Sequence, residues 1–319
     1  MIESEGATMK NYDKPNVKII ILNWNGKNDT CECVDSLLNA GCVKSQIIIV
    51  DNGSNDGSVA VFCERYPDIK TIVNDANLGY AGGNNIGIRK AIESNAEYIL
   101  ILNNDTTVEP GFLEPLVNTL KNEKYDIAGP KILNYWNKEL WAGSGSIIWF
   151  AASPIQRKIL GIFNKSTYSR KTTFVTGCAM MVRKDVFIKI GMLDPEYVAY
   201  YEDLDFCYRA INNNFKCKYV AESIIYHKVS ATGGFIGKDT LSPFQAYFNA
   251  RNGFLFCKKN LTRFKKWQFL LGHFSFRFIY FFILALQSKN VESLKKLFQG
   301  YKDGVFGYVK EREENVGSV

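Results

Sequence analysis

Between Val17 and about Pro130, short β-branched apolar runs alternate with helical patterns, and this alternation constrains the fold more than any other feature of the 319-residue chain. Residues 17–22, 46–50, 70–73 and 98–102 predict strands. Residues 28–40, 58–66 and 82–94 predict the helices between them, and residues 110–122 a further helix with Pro110 in its first turn. Strands separated by helices lie parallel in one sheet, so this half reads as a doubly wound α/β unit. Ligands of such sheets bind beyond the C-terminal strand ends. Polar clusters follow all four runs here: Asn23-Trp24-Asn25-Gly26, the stretch from Asp51 to Gly57, Asn74-Asp75, and Asn103-Asn104-Asp105.

From about residue 131 to 230 the alternation is lost, and mixed structure is expected to pack onto the sheet, with strands over 172–182 and 216–220 and a helix over 203–213. After Ser242 the pattern is helical and aromatic, which sets a boundary near residue 240. The polar stretch 1–15 reads as a disordered leader. The net charge of +7 comes partly from Lys and Arg that thicken after residue 250 without forming a run that would track a nucleic-acid backbone. Phosphate-bearing or membrane partners fit that balance, and no nucleic-acid partner is expected. Eight cysteines without CxxC spacing, in a chain that opens without a secretory signal, point to reduced thiols in the cytoplasm.

Several residues carry chemistry that this layout would bring together. Asp51 opens a Gly/Asn/Ser turn after a buried run, where its carboxylate would accept from a ribose or base or else simply close the turn. In the stretch from Asn77 through Gly79 to Asn84, glycines at a helix start would let a diphosphate approach the backbone. Asp105 ends the most hydrophobic run, a costly place for charge unless a divalent cation or hydrogen bonds compensate; the alternative is a turn cap. Glu202-Asp203-Leu204-Asp205 sets three carboxylates at a helix start. Asp205 reads as the i,i+4 partner of Arg209, whereas crowding by like charge would suit Asp203 to a general base. His227, one of two histidines, is either a satisfied core residue or a ligand.

In their order along the chain these motifs resemble the family 2 glycosyltransferases of the A-type nucleotide-sugar (GT-A) fold, especially the rhamnosyltransferase-like branch. The resemblance covers about residues 17–256: Asn23-Trp24-Asn25, Val50-Asp51-Asn52-Gly53-Ser54, Asn77 to Asn84, Leu102-Asn103-Asn104-Asp105, Thr176-Gly177-Cys178, Glu202-Asp203-Leu204-Asp205 and Tyr226-His227. It implies an α/β fold with a Rossmann-like mixed sheet flanked by helices, a catalytic domain over 16–240 and a helical extension over 241–319. The nucleotide-sugar half would run to about 130 and the acceptor half from 131. The donor would meet Asn23, Asn25, Asp51, Asn77, Gly79, Asn84, Asn104 and Gly177. Asp105 would hold Mn²⁺ or Mg²⁺ as the last residue of the family's Asp-x-Asp element, with His227 as the later ligand. Asn103 replaces the first Asp, which removes one charge but leaves an oxygen ligand. Asp203 would be the base, Glu202 and Asp205 its acceptor-side support, and Arg251-Asn252 matches a pair of the branch without an assigned role.

The resemblance further implies an inverting transfer from a dTDP- or UDP-sugar, rhamnose first among the sugars, to a saccharide or lipid-linked saccharide in cell-surface polysaccharide or glycolipid assembly. Homo-oligomerisation is left open. Two rivals remain: a sugar nucleotidyltransferase, which would want a Gly-rich loop with Arg and Lys after the first strand, and a catalytically silent nucleotide-sugar-binding protein. Residues 267–286 are long and apolar enough to span a bilayer, but Lys266, His273 and Arg277 form a polar stripe. With Lys258, Lys259, Arg263 and Lys265 before it, the segment is expected to lie at the cytoplasmic surface of the membrane, the alternatives being a core helix or a subunit contact.

Overall fold

All four expected strands form: β1 (Val17–Asn23), β2 (Ile47–Asp51), β3 (Lys70–Val73) and β4 (Tyr98–Asn103) alternate with α1 (Lys27–Asn39), α2 (Ser58–Arg65) and α3 (Gly79–Glu93). The computed structural model describes residues 15–148, 153–156, 168–229, 241–287 and 290–307. Residues 1–14 of the expected leader and the boundary expected near residue 240 lie outside these.

The second half continues as β5 (Thr106–Val108), α4 (Leu113–Asn122), β6 (Ile127–Asn134), β7 (Leu140–Ala142), β8 (Gly145–Ile148), β9 (Ser153–Gln156), β10 (Arg170–Thr172), β11 (Ala179–Arg183), α5 (Lys184–Ile190), α6 (Glu202–Asn212) and β12 (Cys217–His227). Four α-helices follow among the described residues: α7 (Pro243–Asn260), α8 (Arg263–Gly272), which runs through a π turn (His273–Arg277) into α9 (Phe278–Gln287), and α10 (Val291–Phe306).

The main sheet runs β10-β12-β6-β11-β4-β1-β2-β3, with β5 paired to β12 and β7 to β6. β3, β2, β1 and β4 are parallel, whereas β11 is antiparallel to both β4 and β6, so the sheet is mixed. Side-chain alternation serves two cores. Ile20, Ile48, Val50, Ile99 and Ile101 pack with α3, α6 and α7, and Ile19, Ile21, Ile47, Ile49, Leu100 and Leu102 with α1, α2 and α4. Each such side chain contributes about 1.5–3 kcal/mol on burial. Register then levels the polar strand ends: Asn23 pairs with Asp51, and Leu22 with Asn103.

One expected strand, 172–182, is two. Thr172 turns its hydroxyl onto the main chain of Gly145 and Phe174, and the chain leaves the sheet until Ala179. The strand expected at 216–220 extends through a bulge after Val220 to His227. The C-terminal helices do not stand apart from the sheet: Phe256, Cys257, Leu261 and Phe269 are part of the α3–α6 core.

Candidate active site

The ends of β1, β2 and β4 are tied by one directional hydrogen-bond chain. Asn104 Nδ2 donates to Thr30 Oγ1 (3.0 Å), and Thr30 Oγ1 donates to Asn23 Oδ1 (2.8 Å). Asn23 Nδ2 then donates to Asp51 Oδ2 (2.7 Å) and Ser54 Oγ (3.0 Å). Asp51 also accepts from the Ser54 N–H, and both its oxygens are engaged inside the turn with the residue 1% exposed. Asn25 lies at the surface with a left-handed backbone, accepting from the Asn55 N–H. Next to this rim, Asn52 organises the loop before α3: its amide donates to Asn77 Oδ1 (2.8 Å) and it accepts from Leu78 N–H, while Asn77 caps Gly79 N–H. Asn84 donates to Tyr80 O, and its carbonyl oxygen is buried without a hydrogen bond.

Pairing of β5 with β12, Thr106 opposite His227, brings Asp105 and His227 together across the long gap in sequence. His227 Nε2 is 3.1 Å from Asp105 Oδ1, the ring is buried against Trp141, and Lys228 N donates to Asp105 O. Burial works against the imidazolium, but the neighbouring Cys178 sulfur and the Asp105 carboxylate hold its pKa up at about 10. Two polar atoms here, Asn103 Oδ1 and His227 Nδ1, are buried without a hydrogen bond. Hard oxygens from Asp105 and Asn103, with the His227 imidazole once a cation displaces its proton, fit a divalent cation whose remaining ligands would come from diphosphate and water. Among the described residues no three His, Cys, Asp or Glu side chains converge to enclose an ion by themselves.

Where the chain leads into β11, the N-terminus of α6 delivers Glu202 and Asp203. Asp203 Oδ2 accepts from Gly177 N–H (2.9 Å) and Oδ1 from Leu204 N–H (2.8 Å). Burial raises its pKa above the ordinary carboxylate range, and those two N–H groups restrain the rise. Glu202 is pushed up much further by burial and by Asp203, and its Oε2 makes no hydrogen bond. Of the two, Glu202 therefore holds its proton more strongly than Asp203. Asp205 is bound by Arg209 (2.7 Å) and by Asn260, the ion pair that its spacing suggests.

Tyr80 and Cys178 connect these groups and escape sequence reasoning. Tyr80 Oη donates to Gly177 O (2.7 Å), and burial, then Glu202, Cys178, Asp203 and Asp105, raise the phenol's pKa far above its usual value. Cys178 senses His227, Asp105 and Asp203 together. Tyr80 sits inside the Asn77–Asn84 motif as its only aromatic residue, and that was the available signal. Arg251 reaches no carboxylate of this cluster; with Asn252 it binds main-chain carbonyls ahead of α6.

A parallel nucleotide-type half-sheet whose strand ends face an acidic helix terminus defines the catalytic layout of a GT-A glycosyltransferase. The chain belongs to glycosyl transferase family 2: the model of that family matches residues 18–191. It is 29% identical over 246 residues to the low-salt glycan biosynthesis hexosyltransferase Agl10 of Haloferax volcanii, spanning 75% of this chain and 74% of that protein. To the dTDP-rhamnosyl transferase RfbF of Shigella flexneri it is 26% identical over 271 residues, 82% of this chain and 86% of that one. Among solved structures, GalNAc-T7 with UDP, GalNAc and Mn²⁺ superposes at TM-score 0.57 with 14% identity, over 84% of this chain and 57% of that one. TarS of S. aureus superposes at 0.56 with 15% identity, over 91% and 81%.

Proposed function

We propose that this glycosyltransferase moves a deoxysugar, rhamnose first, from a dTDP-sugar to a hydroxyl of a saccharide or lipid-linked saccharide, with inversion and with a divalent cation, in cell-surface glycan assembly. The observation that carries the catalytic part is that Asp203 accepts from Gly177 N–H while the next residue, Cys178, accepts through its carbonyl from Asn103 N–H, two residues before Asp105, so that one carboxylate serves the acceptor and the other the leaving group. The donor nucleoside lies along Asn23, Asn25, Asp51 and Asn104, with Asn77, Gly79 and Asn84 toward its diphosphate and Gly177 beside the sugar. Asp105, Asn103 and His227 hold the cation, which when bound offsets charge developing on the departing diphosphate. Ionised Asp203, oriented by Gly177 and Leu204, takes the acceptor proton as the acceptor oxygen attacks the anomeric carbon from the side opposite the diphosphate. Glu202 lies beside the base on the acceptor side, and Asp205 fixes α6 through Arg209. One base and no second nucleophile give inversion. In this reading residues 16–130 form the donor half, 131–240 the acceptor half and 241–319 the helical extension.

The dTDP preference follows the similarity to RfbF. Isothermal titration of the purified chain with TDP and UDP tests it: TDP is expected to bind more tightly, and tight UDP binding without TDP binding reverses the preference. Release of nucleoside diphosphate from a panel of nucleotide sugars then identifies the sugar.

The second reading concerns the surface of α8 and α9. Two residues of the polar stripe expected from spacing turn toward the protein: His273 is 0% exposed, pressed against Gly253 of α7, and Arg277 donates to Asn249. A Cβ at position 253 would stand 2.3 Å from the His273 ring, so glycine is required there. Burial, then Arg277, lowers the His273 pKa to about 3, which keeps the imidazole neutral. With His273 and Arg277 turned toward α7, Phe264, Trp267, Leu271, Phe274, Ile279 and Ile283 form an exposed apolar face along a 25-residue helix, Arg263–Gln287. An apolar face of this extent, with exposed Lys258 and Arg263 near its start, supports a peripheral attachment to the cytoplasmic surface of an anionic membrane. Full-length protein is expected to sediment with phosphatidylglycerol-containing vesicles at low salt, and Trp267→Glu with Phe274→Glu to stay in the supernatant. Sedimentation unaffected by that double substitution, or absent from the wild type, moves the face to a subunit contact in a homo-oligomer.

A further inference from the structure

Asp203 is only the second residue of α6, so its position depends on how the chain enters that helix. The entry is unusual. Val198, Tyr200 and Tyr201 have φ of 64°, 63° and 75°, a region that residues bearing side chains avoid and a β-branched residue most of all. Tyr201 is itself the residue before α6, and no side chain caps the helix there. Such a turn persists only where surrounding contacts over-determine it. On one side Tyr80 N–H donates to Val198 O (2.8 Å), and Gly79, at φ +72°, leaves the room that a Cβ would take at 2.9 Å from that oxygen. On the other side stands α7. Asn252, 0% exposed, directs its amide at the carbonyls of Tyr197 (2.9 Å), Ala199 (2.7 Å) and Tyr200 (2.7 Å). Arg251 donates through Nη2 to Glu196 O (2.5 Å) and Tyr197 O (3.3 Å), and through Nε to Asn252 Oδ1 (2.8 Å), which fixes the orientation of that amide.

We propose that Asn252, oriented by Arg251, is a positioning residue for Asp203: it gathers three carbonyls of the left-handed turn and so sets where α6 begins. The proposal rests on the reading of Asp203 as the base. Its chemistry is specific, because three converging carbonyl oxygens require a donor; a carboxylate there would face all three with lone pairs. The turn touches the donor loop through Tyr80 and Gly79, so the clamp keeps base and donor in register. The nucleoside is assigned to the ends of β1, β2 and β4, so loss of the clamp is expected to lower kcat far more than nucleotide affinity.

Full-length Asn252→Asp, Asn252→Ala and Arg251→Lys are compared with wild type and with Asp203→Asn, measuring kcat per nucleotide-binding site, KM for the donor, affinity for the nucleoside diphosphate, and melting temperature. The expected result is a kcat lower by ~10²-fold in Asn252→Asp, the scale of an ångström-sized misplacement, with a smaller loss in Asn252→Ala and Arg251→Lys and with much smaller changes in donor KM and nucleotide affinity. A lowered melting temperature with wild-type kcat in the folded fraction means a purely architectural role and overturns the proposal. Should Asn252→Asp fail to fold, Arg251→Lys decides alone, wild-type kcat again overturning it. Undiminished turnover in Asp203→Asn instead removes the base reading on which the proposal stands, and that failure is distinguishable because it appears in a variant that leaves the clamp intact.

Discussion

Asp203→Asn is expected to lower the rate of transfer by ~10²–10⁴-fold while nucleotide-sugar binding stays at the wild-type level, the span typical for loss of a general base. The amide keeps the size of the carboxylate and can still accept from Gly177 N–H, so the turn that holds it survives. What it loses is the capacity to take a proton. Single-turnover transfer measured beside titration of donor binding separates the two; near wild-type transfer would move the role to Glu202 or Asp205. The pH profile of the wild type carries a second mark of the same residue. Burial raises the Asp203 pKa, so the acid limb of kcat/KM should lie above the ~3.9 of an ordinary aspartate, with activity lost as pH falls through the raised value because only the ionised form accepts a proton.

Removal of divalent cations should abolish turnover, and addition of Mn²⁺ or Mg²⁺ should restore it. Asp105→Ala is expected to cost ~10²–10³-fold in kcat, the range seen when a group aimed at developing transition-state charge is lost. His227→Ala should weaken metal affinity by ~10–100-fold, as loss of one contributor to a metal site does. Mn²⁺ binding followed by electron paramagnetic resonance tests affinity without reference to turnover. Full activity in chelator-treated, metal-free protein would exclude the cation, and the unpartnered Asn103 Oδ1 and His227 Nδ1 would then need another occupant.

The donor half was legible because β1, β2 and β4 are buried on both faces, which writes them as unbroken β-branched runs with polar residues only where they emerge. The three-residue β5 left no such trace, and neither did its pairing with β12, yet that pairing unites Asp105 with His227. A contact between segments so far apart is set by tertiary register, which local periodicity does not encode. The split of 172–182 into β10 and β11 has the same origin: the apolar pattern continues, but Thr172 and the bond from Gly177 to Asp203 draw the intervening chain off the sheet toward α6. For α8 and α9 the sequence reveals two faces without saying which is covered. The covered one proves polar, since α7 and α10 offer Asn249, the Ala250 carbonyl and Tyr301 to His273 and Arg277. Arg251 and Asn252 were visible as a pair, but their partners are main-chain carbonyls, which look alike in every sequence.

The strand pairing that joins Asp105 to His227 also orders events during synthesis. Chains grow and fold from the N-terminus, and the β3-β2-β1-β4 sheet can collapse as soon as its helices have emerged. At that moment the nucleotide rim exists, but the imidazole, Asp203 and the α7 clamp are still unsynthesised or inside the ribosome. In the proposed reading the donor residues Asn23, Asp51 and Asn104 are thus made before Asp203 and His227, so a chain stopped between them carries the donor rim without the base or the later metal ligand.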